Sequence, residues 1–174
     1  MLVLSGSNKI TRDNIGFGGA VLQVVQVVKT DTFSTSSTTR VDIAGLSATI
    51  TPFSTNSKIL VTLNIQGSGQ ASGWYGTQLT LMRNGTDIAI GDARGSRTRS
   101  TIDLSSTDNT GVYINSTSMT FLDSPNSSSP VTYKLQLCSK QATAAWINRP
   151  AGSDQDNAYA TTVPSSITLM EIAG

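Results

Sequence analysis

Apolar and polar residues alternate along most of this chain with a period of two, the spacing that puts every second side chain on one face of a β-strand. The run Lys58 to Gln66 is the clearest case: Ile59, Val61, Leu63 and Ile65 alternate with Leu60, Thr62, Asn64 and Gln66. In 20–28, Val21, Val25 and Val27 fall on one side and Leu22, Val24 and Val28 on the other, which predicts a strand covered on both faces. Short strands are predicted at 39–43 and 48–51, the latter stopped by Pro52. Residues 79–90 read as a hairpin turning at Asn84-Gly85, a pair that tolerates the positive φ angles of a type I′ turn. Further strands are predicted at 112–122, 131–139, 144–148 and 165–172, with Tyr133, Leu135 and Leu137 on one face of the second of these. Turn-rich stretches at 30–38, 67–73, 103–111, 123–130 and 149–164 separate them. No apolar period of 3.6 residues runs for a useful length, so no helix is expected. Nine or ten short strands at this spacing define an all-β protein, an antiparallel β-sandwich or jelly roll.

Residues 1–19 break the pattern. Asn8, Lys9, Thr11, Arg12, Asp13 and Asn14 are polar, and Gly16, Gly18 and Gly19 form a joint. The expectation is an N-terminal attachment arm over 1–19, with Lys9, Arg12, Asp13 and Phe17 as its contact residues, and one β-sandwich domain over 20–174.

Composition sharpens this picture. Charged residues make up 13% of the chain, while Ser and Thr number 24 each. Thr is β-branched and polar, so it suits the solvent face of a strand. A net charge of +1 argues against nucleic acid or an acidic membrane surface as partner. No stretch approaches the roughly 20 apolar residues of a membrane span, and no signal peptide is visible at the start. The single cysteine, Cys138, excludes an intramolecular disulfide.

The candidate chemistry is sparse. The chain has no histidine, which removes the ordinary Ser-His-Asp and Cys-His nucleophile systems and the commonest zinc ligand. Its 11 acidic residues are spread thinly, and no pair is singled out for acid–base work. No enzyme, metal site or cofactor is therefore expected. Asp154-Gln155-Asp156-Asn157 faintly resembles a calcium loop but lacks the glycine and distal glutamate, and reads as a polar turn. The stretch Gly91 to Arg99 carries Arg94, Arg97 and Arg99; it reads either as an anion or glycan-sulfate site or, preferred here, as an Arg–carboxylate network with Asp92 or Asp103, within the chain or across a subunit boundary. Trp74 and Tyr75 are loop aromatics able to stack on sugar rings or to anchor an interface, whereas Trp146 reads as structural. The candidate host or partner contacts are thus Trp74, Tyr75, Arg94, Arg97 and Arg99. The closing strand, with Ile167, Leu169, Met170 and Ile172, is apolar on both faces and is a candidate for the sheet centre or for a subunit seam. Asn84-Gly85-Thr86 and Asn115-Ser116-Thr117 match the glycosylation sequon, as chance allows in so hydroxyl-rich a chain.

Several strand sequences carry a resemblance. Gly19-Ala20-Val21-Leu22-Gln23-Val24-Val25-Gln26 with Lys29-Thr30-Asp31-Thr32-Phe33-Ser34-Thr35, then Gly45-Leu46-Ser47-Ala48-Thr49-Ile50-Thr51-Pro52 and Ser57-Lys58-Ile59-Leu60-Val61, resemble a domain of tailed-bacteriophage virion proteins. Gly91-Asp92 with Gly95-Ser96-Arg97, Phe121-Leu122-Asp123-Ser124-Pro125 and Ser166-Ile167-Thr168-Leu169-Met170-Glu171-Ile172 extend the likeness over nearly everything after residue 19. The resemblance is to tail-fibre and appendage components, particularly of cyanophages. It implies an antiparallel β-sandwich, a homotrimer, and a place on the virion exterior after synthesis in the host cytoplasm. Its expected partners are its own copies, other virion proteins held through residues 1–19, and a host cell-surface glycan. The rival expectations are a capsid decoration protein fixed by its arm and a stand-alone lectin-like module.

Overall fold

The computed structural model describes residues 19–69, 77–104, 114–140, 144–151, 158 and 160–174. Two antiparallel sheets pack face to face as a β-sandwich, as the alternation predicts, and no described residue is helical. The strands are β1 (Val21–Lys29), β2 (Phe33–Thr35), β3 (Val41–Ile50), β4 (Lys58–Gly69), β5 (Thr77–Arg83), β6 (Thr86–Ile88), β7 (Ile102–Asp103), β8 (Asn115–Asp123), β9 (Val131–Ser139), β10 (Ala145–Ile147) and β11 (Ser165–Ile172).

The six-stranded sheet runs β1-β11-β4, with β8 on the far side of β4 and β10 then β2 continuing beside the end of β4. The five-stranded sheet runs β3-β9-β5, with β6 and β7 following one another along the free side of β5. Alternation supplies the core directly. Ile59, Val61, Leu63 and Ile65 of β4 face Leu79 and Leu81 of β5 and Tyr133, Leu135 and Leu137 of β9, all buried. The hairpin turn forms as expected, with Asn84 at φ 46° and Gly85 at φ 86°, and the Asn84 carbonyl oxygen Oδ1 accepts from the Thr132 N–H.

The structure departs from the sequence reading in three places. The strands expected at 39–43 and 48–51 are one strand, β3, whose register jumps between Asp42 and Ser47. Gly45 takes φ +84° in that bulge, against the stem of the buried Lys29, and this break in the alternation is what made one strand read as two. Secondly, β1 is covered on one face only: Val21, Val24 and Val28 are half exposed. Thirdly, β2 lies in a stretch expected to be a turn and β7 at the edge of another, because they are held by pairing with β10 and β5 rather than by a pattern of their own.

Three polar clusters fasten the sandwich. Asp123, the last residue of β8, accepts from Arg83 Nη1 at 2.7 and 2.9 Å and from the Tyr133 hydroxyl at 2.6 Å, which links the six-stranded sheet to the other through its interior. Asn148 stands at φ 66° after β10. Its Nδ2 donates to the carbonyls of Lys29 and Asp31, both at 2.8 Å, and its Oδ1 accepts from Ser165 Oγ at 2.6 Å. Glu171, the only glutamate, is fully buried and accepts from the Phe53 N–H and from Gln23 Nε2.

Candidate functional site

The outer face of the five-stranded sheet carries a cleft of about 510 Å³. Its floor is made by Gln78 and Thr80 of β5 and Cys138 of β9, residues whose neighbours Leu79 and Leu137 point the opposite way into the core. Thr38, Thr39 and Arg40 form one wall, Arg97, Thr98 and Arg99 the other, and Lys140 closes one end. Four of the chain's 12 cationic residues therefore line a single depression, and no carboxylate is among its described lining residues.

Both walls are fixed by short-range bonds. Ser37 and Thr39 form a hydroxyl-stabilised turn, with the Thr39 N–H donating to Ser37 Oγ at 3.1 Å. The Ser37 carbonyl accepts from the Ser139 N–H at 2.8 Å, so this wall is tied to the end of β9. Arg40 pairs with Asp87 at 2.7 Å, outside the lining. Opposite, the loop between β6 and β7 turns through Gly95 at φ 56°, with the Arg97 N–H donating to the Arg94 carbonyl. Thr101 anchors the loop to the sheet by accepting the Leu81 N–H at 2.9 Å on its hydroxyl. Arg99 Nε donates to the Gly91 carbonyl at 2.6 Å, which orients its guanidinium.

Arg97 and Arg99 thus belong to one site, which also takes in Arg40 and Lys140, two residues that sequence reasoning missed. No local signal marks those two: they come from β3's approach and β9's exit, and only the sheet brings them together. Arg94 is exposed on the same loop but does not line the cleft. Lys29–Asp31, Arg40–Asp87, Arg83–Asp123 and Lys134–Asp42 form ion pairs, and none of these four includes Arg94, Arg97 or Arg99. On the floor, Gln78 Oε1 is shut off from solvent with no hydrogen-bond partner.

The closing strand divides between two roles. β11 is the interior strand between β1 and β4, so it is a sheet centre. Ile167 and Leu169 are fully buried between the sheets, while Met170 and Ile172 lie on the outer face, half buried. Pairing registers place Val24, Met170, Leu60 and Leu122 side by side across four strands of that face. At its two ends this apolar row is open, with Val24 55% and Leu122 48% exposed. The next row, Gln26, Thr168, Thr62 and Thr120, is wholly polar.

Trp146 is buried, as expected of a structural residue, with the Arg149 guanidinium 5.9 Å from its ring centre. Trp74 and Tyr75, the arm residues Lys9, Arg12, Asp13 and Phe17, and the Asp154 to Asn157 segment lie outside the described residues. No group of acidic, cysteine or histidine residues suited to a metal ion occurs among the described residues. Compared with known proteins, the sequence matches no protein-family model and no curated protein.

Proposed function

We propose that this chain is a non-enzymatic structural protein of a tailed-phage particle, exposed on the exterior as a tail-fibre or appendage component, and that it works as a homo-oligomer. The observation that carries the oligomeric reading is the apolar row Val24-Met170-Leu60-Leu122, set beside the wholly polar row Gln26, Thr168, Thr62 and Thr120 on the same sheet face. Soluble surfaces scatter single apolar residues freely, but an aligned row across four strands is what an interface buries. The strand sequences that resemble phage virion domains support the particle. The employment of Asp123 and Glu171, the two buried carboxylates among the described residues, in structural hydrogen bonds supports a non-catalytic role.

Sedimentation equilibrium of the full chain tests the assembly. The expected result is a trimer, converted to monomer by Leu60→Lys with Met170→Lys at unchanged β-sheet signal. A monomeric wild type, or a trimer indifferent to both substitutions, would refute the use of this face. Quantitative mass spectrometry of purified particles tests location: few copies per virion fit an appendage, many copies fit a capsid decoration protein, and absence from virions refutes both.

A further inference from the structure

We propose that the cleft on the outer face of the five-stranded sheet binds a sulfate or phosphate ester carried on a polysaccharide. The sign of the site comes first. The chain is nearly neutral, at +1, yet Arg40, Arg97, Arg99 and Lys140 converge on one depression with no acidic residue among the described residues that line it. Asp87 offsets Arg40 from behind, which leaves Arg97, Arg99 and Lys140 as the net attraction. Assembling like charges without a reason is unfavourable, and an anion between them removes the repulsion.

Geometry then narrows the ligand. An arginine fork matches the tetrahedral oxygens of sulfate or phosphate through paired N–H donors. Arg99 is already oriented by Gly91, so little side-chain freedom is lost on binding. Besides Cys138, the remainder of the described lining is Thr38, Thr39, Thr80, Thr98 and Gln78, whose hydroxyl and amide groups are donors and acceptors suited to sugar hydroxyls. The volume, about 510 Å³, falls in the roughly 300–1,000 Å³ range of small-ligand sites and accommodates one or two sugar units. A nucleic acid fits less well, because the cations form one spot rather than a track and no aromatic residue is among the described residues that line the cleft.

This assignment rests on the cleft alone and stands or falls separately from the pairing of copies through the opposite sheet. Titration calorimetry of the full-length protein with dextran sulfate, dextran phosphate and unmodified dextran of equal length provides the test, with a single-stranded oligonucleotide alongside. The expected result is binding of one or both esters and none of plain dextran; which ester binds more tightly identifies the source. Arg97→Ala with Arg99→Ala is expected to weaken binding at least tenfold, Lys140→Met severalfold, and Lys58→Ala, on the other sheet, not at all. Thermal melting confirms that each variant is folded, and Lys140→Met, on a different element, serves if the loop variant is not. Binding of neither ester, equal binding of plain dextran, an equal loss with Lys58→Ala, or tighter binding of the oligonucleotide would overturn the proposal.

Discussion

Replacing Tyr133 by Phe removes one hydroxyl from the middle of the sandwich and tests whether Asp123 is the clamp between the sheets. The ring is fully buried, and its hydroxyl donates to Asp123 Oδ2 at 2.6 Å. A hydrogen bond to a charged acceptor contributes about 1.5–3 kcal/mol net. Arg83 still engages both carboxylate oxygens after the change, at 2.7 and 2.9 Å, so the carboxylate is not stranded. The expected loss is therefore about 2 kcal/mol. Asp123→Ala strands more: it leaves the phenol without an acceptor and an Arg83 side chain only 29% exposed without its partner. Breaking a buried pair costs about 3–5 kcal/mol, and the partial exposure of Arg83 puts this case near the lower end, about 3 kcal/mol. In the double variant the phenol's share is counted once, so the two losses should fall short of additivity by about 1–2 kcal/mol. Urea denaturation followed by tryptophan fluorescence, at fixed protein concentration, measures all three. An alkaline arm sharpens the test. Burial, then the neighbouring Asp123, raises the Tyr133 pKa far above its ordinary 10.0. The folded protein keeps this proton where the unfolded chain releases it. The contribution is thus complete below about pH 10 and declines above it, at up to about 1.4 kcal/mol per pH unit. Tyr133→Phe should flatten that decline. A variant equal to wild type in both denaturation midpoint and alkaline slope would refute the clamp.

Other outcomes follow from the same geometry. Asn148→Ala deletes three side-chain hydrogen bonds and puts alanine at a positive φ; a loss of about 3 kcal/mol is expected, with faster amide exchange at the end of β1 and the start of β11, and unchanged exchange there would sink the idea. On the acid side, the hydrogen bond from Lys134, then that from Gln136, lowers the pKa of Asp42, and the bond from Lys29 lowers that of Asp31. Their contributions are present above the ordinary value of 3.8 and are lost as pH falls through the lowered folded values. Both carboxylates are largely exposed, so the acid slope between pH 4 and 2 should be shallow, and Lys134→Met should make it shallower still, as read by denaturation midpoints across that range.

How much of this was legible in the sequence depends on whether a property is local. Alternation at Ile59, Val61, Leu63 and Ile65 places core residues because burial on one face is a property of the strand itself. Asn84-Gly85 foretells its turn because positive φ is a property of those two residues. The bulge at Gly45 hid β3, since it shifts the phase of the alternation halfway along. β2 escaped notice because three residues carry no period, and only β10 defines them. The cleft was half legible: Arg97 and Arg99 are neighbours in the chain, but Arg40 and Lys140 join them through the lateral order β3-β9-β5, which no spacing encodes. The apolar row was similarly hidden, as Val24, Leu60, Leu122 and Met170 meet only through strand register.

The place of β11 has a bearing on how the protein is made. Its partners on either side, β1 and β4, leave the ribosome long before it does; Gln23 waits for a hydrogen-bond partner 148 positions downstream. Until residues 165–172 emerge, the larger sheet has a gap at its middle, with the apolar flanks of β1 and β4 open to neighbouring nascent chains. Closing a contact so distant in sequence is slow, and a product cut short by a premature stop lacks the piece that joins the sheet. Emergence of β11 therefore acts as the checkpoint for folding, and only chains that carry it reach a state in which the outer faces exist to be used.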